Sequence, residues 1–381
     1  MKHAADNVRL MAEQGTDFEN GFRLAREHRI SEARILQFHK DMESIRRGRL
    51  HPAVYLNNLR ETQGINSFPL LMADSIDRSV LMGYQEAPAS WPSYCWRKVN
   101  RDFRAAKLFA IDGGEGVNEV VNELGPYPAT QISESKYEVS VLKYGDTFAY
   151  SFEMFINDDL GAFMDTPRRM GRKVRRTEED VATKLYATDA AKAAFFTAGN
   201  NNLISGNPIL GIEGLNVAIN VMAQQLDADG EPIEIEGAVV VYPPALRAAV
   251  LQIANLTEVR ASSLAGDSDN LVVTTNYMRT TFTFVENKRL PLVAETNADT
   301  GWFVFANPSL GRPALVLAFL MGHESPDLFI KAPDSVRVGG GMATPMDGSF
   351  ANDSIQYKVR NFVGGSRIDP KAACFSNGSG S

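Results

Sequence analysis

The sequence predicts an α+β protein, and three observations carry that prediction. Apolar residues recur at helical spacing over 68–84 and 167–196. Strict period-two alternation marks 147–154 and 355–360 as strands with one covered face. Short β-branched and aromatic runs bounded by Gly and Pro, such as "GAVVVYPP" and "GWFVFANP", add buried strands between helices. The chain has 381 residues, 44% of them hydrophobic and 22% charged, enough for two or three domains with a sizeable core.

Taken in order, Ile35, Phe38, Met42 and Ile45 are spaced 3-4-3 behind a candidate N-cap, Ser31, and predict a helix with a charged back. It either docks on its own domain or packs as an arm on a neighbouring subunit. A second helix is expected over Phe68–Tyr84, followed by an extended "APASWPSYCW" and a strand in "DFRAAKLFAID". The segment "GVNEVVNELGPYPATQISESKYEVSVLKYG" reads as two strand-like arms around a Gly-, Pro- and Ser-rich middle at 125–135, a long hairpin whose tip includes Gly125, Pro126, Tyr127 and Pro128, with Lys136 beside it.

Next, Phe148, Tyr150, Phe152 and Met154 alternate with small or polar residues, so one face of that strand must be covered. Asn157 is placed to cap a short turn, with Asp158 and Asp159 at the positive end of its dipole. Thr166 and Pro167 then form a cap and first-turn pair, and Met170, Val174, Val181 and Leu185 continue a stripe to Phe195 and Phe196, which predicts one helix over 167–196. It ends at "TAGNNNLISGNP". A mixed α/β unit follows over 233–336, then a final strand "SIQYKVRNFVGG" and a flexible tail "NGSGS".

The functional signals are mostly exclusions. A net charge of −7 and pI of about 5.4 argue against a dedicated nucleic-acid binder. Cys95 and Cys374 are the only cysteines and stand alone, so neither a disulfide framework nor a zinc site is indicated. No apolar run reaches membrane-spanning length; the longest, "ALVLAFLM", is Ala314–Met321. The five histidines form no zinc helix, and nucleophile-elbow, phosphate-loop and dinucleotide motifs are missing, so no catalytic, cofactor or metal residues are assigned. "DADGEP" at 227–232 lacks the closing Glu of a calcium loop and reads as a hairpin turn. Asp158 and Asp159 as an acid–base pair is the enzymatic alternative, but adjacent residues at a helix start do not converge on one substrate atom.

One cluster stands out. Arg168, Arg169, Arg172, Lys173, Arg175 and Arg176 fall at the start of the expected helix, where cations oppose its dipole. Pairs at i,i+4, Arg175 with Glu179 and Arg176 with Asp180, compensate two of the six. An acidic surface of a neighbouring subunit or packaged nucleic acid is the remaining explanation.

The run from Lys136 to Arg176, with its strand, "NDDLGAF" and "TPRRMGR", resembles major capsid proteins of tailed bacteriophages, the Mu-type head subunits of the Hong Kong 97 fold. "FPLLMADSIDRSVLMGY", "DFRAAKLF", "VVVYPPAL", "WFVFANP" and "YKVRNFVGGSRIDPKAA" extend the resemblance over 68–376. It implies an N-terminal helical region at 1–64, an arm at 65–115, an extended loop at 116–144, a peripheral domain at 145–232 with spine helix 167–196, an axial domain at 233–340, and a return strand and tail at 341–381. The implied function is a non-enzymatic shell protein assembling in the bacterial cytoplasm into hexamers and pentamers of an icosahedral virion head around double-stranded DNA. Scaffolding, decoration and portal proteins are further implied partners. A cargo-enclosing encapsulin shell is the alternative within the same fold.

Overall fold

The computed structural model describes residues 67–112, 133–151, 160–227, 230–233, 235, 237–262, 271–309, 312–332, 334, 338 and 349–380. The expected helix around 35–45, residues 125–132 of the expected hairpin tip and the turn carrying Asp158 and Asp159 lie outside them, while residues 133–135 of that tip are paired strand instead. The elements in order are α1 (Ser67–Glu86), β1 (Cys95–Asn100), β2 (Ala106–Asp112), β3 (Ser133–Val139), β4 (Leu142–Ser151), α2 (Leu160–Ala187), α3 (Asp189–Phe195), α4 (Ile212–Ala223), β5 (Gly237–Tyr242), α5 (Arg247–Asn255), β6 (Glu258–Ser262), β7 (Leu271–Thr275), β8 (Thr283–Glu286), β9 (Trp302–Ala306), β10 (Leu315–Leu320), β11 (Asp327–Ile330), β12 (Ser354–Arg367) and β13 (Ala373–Ser376), with single helical turns at Met278–Thr281 and Leu290–Val293. Helices and mostly antiparallel sheets are interspersed, the α+β class expected.

The chain divides into two compact units. The first comprises the described parts of 1–86, 145–174 and 325–361; the second comprises those of 87–144, 175–324 and 362–381. Three elements contribute to both, β4 changing over between Tyr144 and Gly145, α2 between Val174 and Arg175, and β12 between Asn361 and Phe362.

In the first unit, α1 and the beginning of α2 meet backbone to backbone. A Cβ on Gly83 would sit 2.9 Å from Arg168 Cα, and one on Gly171 would sit 2.7 Å from the Tyr84 nitrogen, with Val80 O closer still. Only hydrogen fits at either site, so two glycines set how near the helices come. Beside them β11 pairs antiparallel with β12, Asp327 opposite Arg360 and Ile330 opposite Tyr357, and β4 also pairs β12. The predicted alternation along β4 holds where described: Phe148 stacks on Tyr357 at 5.1 Å, and Tyr150 is buried beside them.

The second unit is built on a four-stranded sheet in the order β13-β9-β5-β8. All five residues of β9 are buried, as are all six of β10, the pattern of strands covered on both faces. Tyr186 of α2 packs edge-on against Phe303 at 4.8 Å, and Tyr94 stacks on Phe305 at 5.4 Å. β10 lies parallel to β1 and antiparallel to the second part of β12, with Val363 opposite Phe319.

Several expectations are corrected. The long helix starts at Leu160, seven residues before Pro167, and is interrupted at Thr188, which takes extended backbone and caps a separate helix α3 by accepting from the Ala191 N–H. Pro167 therefore lies inside the helix, its missing N–H tolerated in the third turn. The strand "SIQYKVRNFVGG" is not the last: β13 follows and closes the main sheet against β9, so the 233–340 section is completed by a strand from beyond it. Nor is the tail loose up to Gly380. Gly380 N–H donates to Asn207 O at 2.8 Å, Thr300 Oγ1 donates to Asn377 O at 2.8 Å, and Gly378 takes a left-handed φ of 68° against Thr300. "APASWPSYCW" contains a 3₁₀ turn at Trp91–Ser93 and enters strand β1 only at its last two residues, Cys95 and Trp96. The turn read in 227–232 is present, with Asp227 N–H donating to Glu231 O at 2.7 Å and Gly230 at φ 82°.

Candidate assembly surface

The cation-rich segment begins in the ninth residue of α2, past the first turn where the dipole acts, so the expected dipole penalty does not arise. Five of the six cations have partners within their own unit. Arg168 grips Glu86 with two nitrogens, Nε at 2.8 Å; Arg169 and Arg172 share Asp165 at 2.6 and 3.8 Å; Lys173 pairs with Asp146; and Arg175 meets Glu178 at 2.9 Å. Arg176 is exposed and makes no ion pair among the described residues.

Neither predicted i,i+4 pair forms. Arg175 turns to Glu178 and stands 5.7 Å above the Trp91 ring, while Asp180 takes Lys184 and Arg289. Glu179 is buried instead and accepts from the Ser90 and Trp91 backbone N–H groups at 2.9 and 3.3 Å and from the Ser90 hydroxyl. The buried stripe of α2 thus includes Glu178, Glu179 and Thr183 beside Ala182 and Tyr186. Charged residues on a core face are stable only when each acceptor is filled, as here.

The expected first arm of the hairpin, 116–124, lies outside the described residues. The described partner of β3 is β2, paired from Ala106 opposite Val139 to Asp112 opposite Ser133. Residues 106–112, assigned from sequence to the segment before the loop, therefore belong to the ribbon. Among the described strands β2 and β3 pair only with each other. Leu108 and Tyr137 pack inward against the Val139, Val141 and Phe362 cluster. The opposite face carries Lys107, Phe109, Lys136 and Glu138, with Phe109 63% exposed and Lys136 bonded to Glu138 at 2.7 Å. Lys136 sits in the paired body of the ribbon opposite Phe109, not beside the tip. The alternation of Lys107 and Phe109 was readable in "AAKLFAI" once that run is a strand.

Among the carboxylates held below their usual range by cations are Asp146, chiefly through its hydrogen bond from Lys173, and Asp189, through that from Lys192 at 2.7 Å. A depressed folded pKa contributes stability above the unfolded value of about 3.9 and loses it as pH falls through the folded one. Asp189→Asn is accordingly expected to flatten the acid limb of the melting curve, and an unchanged limb would show the pair contributes nothing. Burial, with the charge of Glu179, pushes the Cys95 thiol well up, and burial raises that of Cys374. Both are expected to resist iodoacetamide in the folded chain and react on unfolding; labelling at native pH would contradict the burial.

Among the described residues no group of acids, histidines and cysteines is arranged to hold a metal, and no helix is long and apolar enough to cross a membrane. A sequence profile described as phage capsid protein matches residues 135–375, which take in most of β3, all elements from β4 to β12, and β13 but for its last residue. The chain belongs to the phage capsid protein family. Among solved structures similar to this capsid protein are one from Mycobacterium phage Adephagia (10% identity, TM-score 0.44, covering 76% of this chain and 90% of that one), the cyanophage Pam1 capsid asymmetric unit (13%, 0.46, 76% and 90%), and the procapsid of bacteriophage JBD30 (11%, 0.39, 82% and 75%). At these identities and TM-scores the family assignment rests on the sequence match. No curated protein matches the chain. As a phage capsid protein it is a structural component of the virion.

Proposed function

We propose that this capsid protein is the major head subunit and assembles in the host cytoplasm, in the Hong Kong 97 arrangement, into hexamers and pentamers of an icosahedral shell around double-stranded DNA. Heterologous contacts between different surfaces of identical copies close into rings, and rings of five and six close a shell. The observation that supports this best is the β2–β3 ribbon: both edges unpaired among the described strands, one face on the core and the other carrying exposed Phe109. Open strand edges beside an exposed aromatic are a ready template for contact with another chain, so a neighbouring copy covering them is the physically economical arrangement. Portal, scaffolding and decoration proteins complete the head. The family match favours this over an encapsulin-type shell.

Sedimentation and negative-stain microscopy of the purified chain test the reading. Rings, sheets or closed shells are expected; only monomer and dimer, with and without a scaffolding partner, would overturn it. Within this reading the tip, with Gly125, Pro126, Tyr127 and Pro128, reaches a neighbouring copy, and Asp158 and Asp159 face an interface. Replacing 125–132, which leaves the paired residues of the ribbon in place, by a short Gly-Ser turn is expected to leave the melt unchanged and reduce closed particles. In the cation cluster Arg176 is the member available to a neighbour, so Arg176→Glu is expected to lower particle yield more than Arg169→Glu does.

A further inference from the structure

Residues 96–109, "WRKVNRDFRAAKLF", carry Arg97, Lys98, Arg101, Arg104 and Lys107 against the single acid Asp102. That is net +4 in a chain of −7, which leaves −11 on the rest. The strip runs along β1, an edge strand whose partner is β10, across a short exposed link, and onto the outer face of the ribbon. Arg97, Arg101, Arg104 and Lys107 are exposed, and the large apolar side chains among them are exposed too: Val99 at 42%, Phe103 at 53% and Phe109 at 63%. The one internal counter-charge, Asp102, lies 4.0 Å from an almost fully solvated Arg104.

The same unit presents a surface of opposite character. After the helical turn Leu290–Val293 the chain leads into β9 through "AETNADTG". Leu292 is 73% exposed, and Glu295 and Asp299 are exposed with no ion pair among the described residues. This loop is held in place. Buried Lys192 donates to Thr296 O at 2.8 Å, Thr296 Oγ1 donates to Asp189 at 2.9 Å, and Gly301 N–H closes on Asn297 O at 2.9 Å. Its backbone is therefore ordered before contact, which lowers the cost of presenting the two carboxylates and the leucine.

We propose that the basic strip 96–109 of one copy docks the acidic loop Leu292–Asp299 of a second copy. The inference rests on the assembly reading and says which surfaces meet. The contact is head-to-tail: each copy uses its strip on one side and its loop on the other, so it propagates around a ring. Apolar groups on both sides exclude water from the ion pairs, which strengthens them and fixes register.

The test is a charge swap in the full chain, read by sedimentation against the wild type. Arg101→Glu with Arg104→Glu changes solvated side chains, so the melt is expected to stay put while particle yield falls at least tenfold. Adding Glu295→Lys and Asp299→Lys to that chain recreates the pairing with signs exchanged and is expected to restore particles. Wild-type assembly that weakens with rising salt agrees with the contact. Normal particle yield from the Arg101/Arg104 variant overturns the inference, as does a swapped chain that stays unassembled while the Glu295/Asp299 variant alone assembles normally. Normal empty shells with reduced DNA retention would assign the strip to nucleic acid instead and equally overturn it. A wild-type chain that forms no particles refutes the assembly reading itself, which separates the two failures.

Discussion

Gly171→Ala is expected to cost about 3 kcal/mol or more, the upper range for overpacking, although it adds one methyl group. At most helix positions the same change stabilises by roughly 1 kcal/mol through propensity, so the sign is the informative part. The reason is what the methyl would meet: Val80 O, and Tyr84 N at 2.7 Å, both backbone atoms of α1 that no rotamer can move. Gly83→Ala presses on the backbone of Arg168 from the other helix and is expected to act in the same way. Both variants enlarge the separation of α1 and α2 within the first unit and draw Val80 and Val174 away from Val359 in their shared cluster. Denaturant unfolding followed by a probe in that unit measures the loss, because a chain of two units need not unfold in one step. A loss below about 1 kcal/mol, comparable to an ordinary surface change, would mean the helices yield easily and the glycines do not set their approach.

Asn202→Leu is the second large effect, expected at about 3 kcal/mol because it orphans several buried groups at once. Asn202 is fully buried. Its Nδ2 donates to Phe195 O and Pro370 O, both at 2.9 Å, and its Oδ1 accepts from Thr197 N–H at 2.9 Å. Its own carbonyl takes the Phe375 N–H at 3.0 Å, and Ile204 N–H returns to Phe375 O at 2.9 Å. One side chain thus ties the end of α3 to the segment before β13. Asn202→Asp keeps the volume and loses the amide donor, leaving an acceptor against two carbonyl oxygens, and is expected to be no milder than leucine. Hydrogen exchange on β13 should rise in both variants. If the aspartate variant is as stable as the parent, filling the volume matters and the amide donor does not.

Much of the fold was legible because it depends on local periodicity. Alternation in β4 and β12, the apolar run of β10 and the stripe of α1 all announce a face to be covered, and the structure covers it. The turn at 227–232 was likewise readable, since a Gly at positive φ is a local requirement. What failed was the placement of boundaries and partners. Pro167 suggested a first turn because proline is best tolerated there, yet α2 begins at Leu160 and places it inside the helix. Glu179 and Asp180 looked like exposed i,i+4 partners of Arg175 and Arg176 because sequence spacing cannot show that Ser90 and Trp91 arrive at the first and Arg289 at the second.

The candidate surface divides in the same way. Sequence marked the Arg168–Arg176 cluster as an excess of charge, but Glu86 and Asp146, which neutralise Arg168 and Lys173, are remote in the chain and become neighbours only on folding. The basic strip at 96–109 went unremarked because its cations are spread over a strand, a link and a ribbon, and only exposure distinguishes it from paired surface charge. By itself the sequence determined the fold class and the covered faces of its periodic helices and strands, the absence of recognisable catalytic motifs, and, through its match over 135–375, the family. The tertiary structure alone decided which charges are spent internally and which face outward, because a charge pair depends on distance through space, and residues many positions apart meet only when the backbone closes on itself.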